Sequence, residues 1–149
     1  MGNSTLRLDL NNHLGKMLLL DALIEISRKQ KIYPKFQARY VDQSKTGEIF
    51  SDAATFQQDR EGDCAMAVVW AGAYLRNKGK KVWTILTKST NPSNYGRLHV
   101  QLYEPSTNTI IDPTRIVFRN FRNKKAAYTK PSYFQKRHIK KQLRKLFKV

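Results

Sequence analysis

Cysteine is all but absent from this chain of 149 residues: Cys64 is the only one. A single thiol cannot close an internal disulfide, so a small stapled scaffold is excluded and a reducing compartment, the cytosol, is the expected location. One cysteine with three scattered histidines gives no zinc-ligand spacing, and no cofactor is expected. Long apolar runs are missing too. The run Met17 to Leu20 is broken by Asp21, and no run approaches the roughly 18 residues that cross a bilayer. Arg7 and Asp9 precede it and no small-residue cleavage site follows, so a secretory signal is not expected. Leu6 stands where the myristoylation pattern wants Ser or Thr. Finally, no acidic residue follows Asp112.

That last absence makes the charge lopsided. The formal net charge is +17, and 13 of the 28 Lys and Arg lie between Arg115 and Val149. Residues 1–114 carry the other 15 together with all 11 acidic residues, a net of +4. A hydrophobic fraction of 40% suits a globular body with a real core. The expected organisation is a single domain over 1–114 and a basic C-terminal extension over 115–149.

Within the body, Glu61-Gly62-Asp63-Cys64 leads into an alanine-rich run that ends at Gly79. Gly62 and Asp63 read as a turn and an N-cap, the run favours helix, and Gly79 suits a left-handed stop. Cys64 therefore falls in the first helical turn. Unpaired N–H groups and the positive end of the macrodipole stabilise a thiolate there, while the charge of Asp63 opposes it, so activation needs a histidine. The plainer alternative is a small buried core residue, the commoner fate of a free cysteine.

Taken in order, Met1 to Asn12 is short and polar, and Asn11 or Asn12 caps a helix expected from about Leu14 to Lys31. Leu14, Met17, Leu18, Leu20, Leu23, Ile24 and Ile26 recur along it at helical spacing, and His13 beside the cap reads as a surface residue. Tyr33-Pro34 ends this helix, and Phe36 to Val41 alternates as a strand or extended arm. Asp42 to Asp59 reads as a loop pinned by Phe50 and Phe56, with Gln57 and Gln58 placed where an amide could stabilise an oxyanion. Lys81 to Thr87 is rich in β-branched and aromatic residues and predicts a buried strand. A loop over Asn91 to Gly96 leads to Leu98–Tyr103, where Leu98, Val100 and Leu102 alternate with His99, Gln101 and Tyr103. A turn over Glu104 to Asn108 feeds a strand ending at Asp112. If Glu104 stands opposite Thr109, His99 and Asp112 leave the same face of the sheet; a slip of one residue separates them.

Gly62-Asp63-Cys64, the helix with Leu75 and Gly79, His99 opening a strand, and Ile111-Asp112-Pro113-Thr114 closing the next resemble the core of the transglutaminase-like superfamily of papain-like cysteine enzymes, over about residues 60–114. The resemblance implies an α+β fold in which a helix carrying an N-terminal cysteine packs on an antiparallel β-meander, preceded here by the N-terminal helix and followed by a basic helical tail. It implies Cys64 as nucleophile, His99 as general base and acid, and Asp112 as the residue that orients His99. Members include crosslinking acyl transferases, peptidases, amidases and inactive binding versions. Many relatives have Ala and Trp after the histidine; Val100 and Gln101 follow it here. The implied chemistry is thiol-dependent acyl transfer on a protein or peptide amide, by hydrolysis or transamidation.

In the tail, Ile139, Leu143, Leu146 and Phe147 share one face of a potential amphipathic helix. Lys124, Lys125, Lys136, Arg137, Lys140, Lys141, Arg144, Lys145 and Lys148 then form a candidate surface for nucleic acid or another polyanion, with an anionic membrane or acidic partner as alternatives. Phe118, Phe121, Tyr128, Tyr133 and Phe134 interleave with these charges as stacking platforms would, or as packing aromatics would. His138 reads as a surface residue. The alternative function is thus a non-catalytic basic protein, a nucleic-acid-binding or structural part of a nucleoprotein assembly that keeps the fold.

Overall fold

The computed structural model describes residues 13–41, 50–88 and 98–147. The expected cap at Asn11 or Asn12, the loop over Asn91 to Gly96 and the tail residue Lys148 lie outside them. Helix α1 (His13–Ser27) forms where Met17, Leu20 and Ile24 recur one turn apart, and all three are buried. It ends short of the expected Lys31. The fully buried Ser27 hydroxyl accepts the Ala53 N–H at 2.9 Å, and Gln30 Oε1 accepts the Ala54 N–H at 2.9 Å. Those two side chains cap the next helix, and the chain turns away to place them.

That next helix, α2 (Ala53–Asp59), occupies part of the stretch expected as loop. Its start is capped by Asp52, whose Oδ1 accepts the Thr55 N–H at 2.9 Å, and Ala53 and Phe56 are fully buried. Seven residues with this much Gln and Asp form a helix only because Ser27 and Gln30 satisfy the orphan N–H groups from across the fold. Arg60 then takes the left-handed conformation, and β2 (Glu61–Gly62) pairs in parallel with β1 (Arg39–Tyr40), Arg39 beside Glu61 and Tyr40 beside Gly62. Gly62 is therefore a strand residue, not the expected turn. A Cβ there would lie 2.2 Å from Met66 Sδ and 2.9 Å from the Phe56 ring, so its role is close packing.

Helix α3 (Cys64–Asn77) is the centre of the molecule. Every residue from Ala65 to Ala73 is buried, the pattern of a helix covered on all sides. Gly72 lets α1 approach, since a Cβ there would stand 2.6 Å from Ile24 Cδ1. The helix stops in a Schellman motif: Gly79 has φ of 86°, its N–H reaches Arg76 O at 3.0 Å, and the Lys80 N–H reaches Leu75 O at 3.1 Å. The left-handed stop expected at Gly79 is what the chain adopts.

Strands β3 (Trp83–Lys88), β4 (Leu98–Glu104), β5 (Thr109–Ile111) and β6 (Tyr128–Thr129) form an antiparallel sheet in that order. Leu86, Val100, Leu102 and Ile111 join the main core with α3, while Ile85, Tyr103 and Ile110 form a second cluster with Ile139. Between β5 and β6 lie two short helices, α4 (Thr114–Val117) and α5 (Lys124–Ala127). Ile139 belongs to α6 (Tyr133–Phe147), so the basic segment after Asp112 supplies both a strand of the sheet and the cover of its second cluster. Gln142 of α6 binds the edge of β3 as another strand would: Oε1 accepts the Leu86 N–H at 2.8 Å and Nε2 donates to Leu86 O at 2.7 Å. Among the described residues the chain is thus a mixed α+β protein with six α-helices and a four-stranded antiparallel sheet, and none of these helices is long and apolar enough to cross a membrane.

Candidate active site

Three elements meet at the end of β4. The first is the start of α3, where Asp63 takes the N-cap conformation and its Oδ1 accepts the Ala65 N–H at 3.1 Å and the Met66 N–H at 3.3 Å. This carboxylate is buried and committed to the helix backbone. Among the described residues the Cys64 N–H has no acceptor, as expected for a first-turn donor. Cys64 itself is partly exposed, in contact with the main core on one side.

The second element is β4. Leu102 stands opposite Ile111 and Glu104 opposite Thr109, the register that sends His99 and Asp112 to one face. His99 Nε2 lies 3.2 Å from both carboxylate oxygens of Asp112. Cys64 lies close enough to His99 to help raise its pKa. With Nε2 turned to the carboxylate, Nδ1 is the nitrogen left for the sulfur.

The third element is the turn from β5 into α4, which fixes Asp112. Oδ1 accepts the Thr114 N–H at 3.2 Å, and the Asp112 N–H donates to Ala127 O at 2.8 Å. Ala127 closes α5, which Asn123 caps by accepting the Lys125 and Ala126 N–H groups at 3.1 and 3.2 Å. The segment after Arg115 therefore holds the carboxylate in place. Sequence reasoning passed over Thr114, Asn123 and Ala127 as positioning residues; an Asn ahead of Lys-Lys-Ala-Ala is a cap signal that could have found α5.

The His99 pKa stands at about 10, against an ordinary 6.5. Burial, the largest influence, pushes it down; the hydrogen bonds to Asp112 and Cys64, with the negative charges of both groups, outweigh it. An imidazole in this setting is protonated at neutral pH and places a cation beside the sulfur at the helix start. The arrangement can supply a nucleophile, a proton donor and an anchored carboxylate.

Gln57 does not join this group. Its Oε1 accepts the Trp70 Nε1–H at 3.0 Å and the Tyr33 N–H at 2.8 Å, and its Nε2 donates to Lys31 O at 2.9 Å. With its amide spent on the core, it cannot serve the oxyanion role expected for it. Gln58 is exposed on α2.

The candidate polyanion residues lie elsewhere. Lys124 and Lys125 are exposed on α5, and Lys136, Arg137, Lys140, Lys141, Arg144 and Lys145 are exposed on α6, away from the buried Ile139 and Gln142. The aromatics divide. Phe118 is fully buried and Phe121 stacks edge-on to Tyr40 at 5.2 Å, so of the two readings packing holds for them. Tyr128, Tyr133 and Phe134 are exposed by 53%, 71% and 78%. Among the described residues no group of His, Cys, Asp and Glu is arranged to hold a metal ion. Comparison with protein-family models, curated proteins and solved structures gives no match for this chain.

Proposed function

We propose that the chain is a transglutaminase-like, thiol-dependent acyl-transfer enzyme that uses Cys64, His99 and Asp112. The observation that carries this reading is that one imidazole stands 3.2 Å from both oxygens of a carboxylate and within electrostatic reach of a thiol at a helix N-terminus. In the first step His99 takes up the Cys64 thiol proton. The thiolate attacks a carboxamide carbonyl, and the Cys64 N–H stands ready as an oxyanion donor. As the tetrahedral adduct collapses, the C–N bond breaks, the imidazolium proton passes to the leaving amine, and a thioester remains on Cys64. Water or a second amine then attacks the thioester while neutral His99 takes its proton. The C–S bond breaks and the thiolate–imidazolium pair is restored. Asp112 keeps the imidazole oriented and its charge balanced.

Trapping tests the reading. A brief reaction with p-nitrophenyl acetate should leave an acetyl group on Cys64, seen by peptide mass spectrometry, and none on the Cys64→Ala protein. Acetylation confined to lysines in both proteins would end the assignment.

The outward face of α6 favours a second reading. Six exposed cations with no acid among them form a surface for a polyanion, nucleic acid first. This surface docks the enzyme on its target, or it is the main activity of a non-catalytic basic protein that retains the fold.

A further inference from the structure

Away from the triad, Tyr33, Pro34, Lys35, Phe36, Gln37, Arg60 and Arg119 surround a cleft of about 560 Å³. Three of them are cations and none is an acid. The volume falls in the range of small-molecule sites, roughly 300–1,000 Å³.

The cations are arranged and unspent. Arg60 has φ of 56°, a left-handed position that glycine fills without strain, yet it holds an arginine whose side chain makes no hydrogen bond or ion pair among the described residues. Glu61, its neighbour, is turned to Arg39. Lys35 is exposed and likewise unpaired among the described residues. Arg119 donates only Nε, to Gln37 Oε1 at 3.1 Å, which sets the plane of the guanidinium and leaves both Nη groups for a ligand. A planar fork held this way suits two oxygens of one anion.

The cleft is also built to keep its shape. Phe36 packs edge-on to Phe56 at 5.1 Å and is tilted against Trp70 at 5.9 Å, and the Tyr33 N–H is anchored on Gln57. The Tyr33 ring is 49% exposed, with Lys31 Nζ 5.7 Å from its centroid as a fourth cation. An exposed ring beside several cations is the combination that binds a flat base and its phosphate together.

We propose that this cleft binds a nucleoside phosphate, the phosphoryl group between Lys35, Arg60 and Arg119 and the base against Tyr33. The ligand is either a free nucleotide or one unit of a single strand. It is a site separate from the α6 surface.

The test is titration of the full chain with adenosine monophosphate, inorganic phosphate, an oligodeoxyadenylate and a hexaglutamate peptide, followed by backbone amide NMR shifts. Saturable shifts at Tyr33, Gln37, Arg60 and Arg119 are expected with adenosine monophosphate. Arg60→Gly suits the backbone there, and Arg119→Gln keeps a polar side chain; each should weaken binding about tenfold or more. Tyr33→Ala should weaken the nucleotide and leave inorganic phosphate unchanged. Tighter binding of the oligonucleotide with loss in the same variants identifies the strand as the source. Preference for hexaglutamate, unchanged affinity in both arginine variants, or equal loss on replacing Lys141 and Arg144 of α6 would overturn the proposal.

Discussion

His99 Nε2 stands equidistant, at 3.2 Å, from the two oxygens of Asp112, so the imidazole is aligned on the whole carboxylate and not on one lone pair. The carboxylate is in turn fixed by the Thr114 N–H, and its backbone by Ala127 O. Asp112→Asn keeps the size of the side chain and removes the charge. The His99 pKa should then fall from about 10 towards its ordinary value, and acylation of Cys64 at neutral pH should slow by about 10²-fold or more. Histidine NMR titration and stopped-flow acylation measure the two effects.

Stability should carry the same signature. A pKa raised on folding stabilises the native state in full below the unfolded value, and that contribution is lost as pH climbs through the folded value. For His99 the window runs from 6.5 to about 10. Urea midpoints of wild type and His99→Gln, compared across this range, should show a wild-type advantage that shrinks as pH rises. An advantage that grows over the same window would contradict the arrangement.

Gln142 offers a test of how the basic segment is built in. Replacing it with Ala leaves the N–H and C=O of Leu86 without their partners at a buried edge. The expected cost is about 2–4 kcal/mol of unfolding free energy, measured by chemical denaturation. Truncation before Lys124 would remove β6 and α6 from the fold, so charge substitutions, not deletions, are the clean probe of what the segment binds.

Substituting Lys140, Lys141, Arg144 and Lys145 with Gln should lower affinity for single-stranded DNA and flatten the dependence of log affinity on log salt by about 0.7 for each phosphate no longer neutralised. Fluorescence anisotropy across a salt series measures it. An unchanged slope would place any polyanion site on another surface.

These contrasts show what local sequence carries. The stripe of Met17, Leu20 and Ile24, the cap at Asp63, the stop at Gly79 and the alternation of β4 were all legible, because each is a short-range pattern set by helix or strand period. The pairing of Glu104 with Thr109 is the register that a His99–Asp112 contact requires, and the chain adopts it. Helix α2 was not legible, because its first N–H groups are satisfied by Ser27 and Gln30 from another part of the chain. Nor was the spending of Gln57 on Trp70 and Tyr33, or the dual use of the charged segment as strand, cover and basic face. Charge marked that segment off; packing joins it to the sheet.

If His99 activates Cys64, the thiol reacts fast at a pH where an unassisted thiol does not. Iodoacetamide alkylation of Cys64 is followed at pH 6, where a thiol of ordinary pKa, about 8.5, is almost wholly protonated and slow. The wild type should react at least about tenfold faster than His99→Ala, with both proteins folded by circular dichroism. Equal, slow rates in the two proteins would contradict activation by His99 and leave Cys64 as a packing residue beside the core.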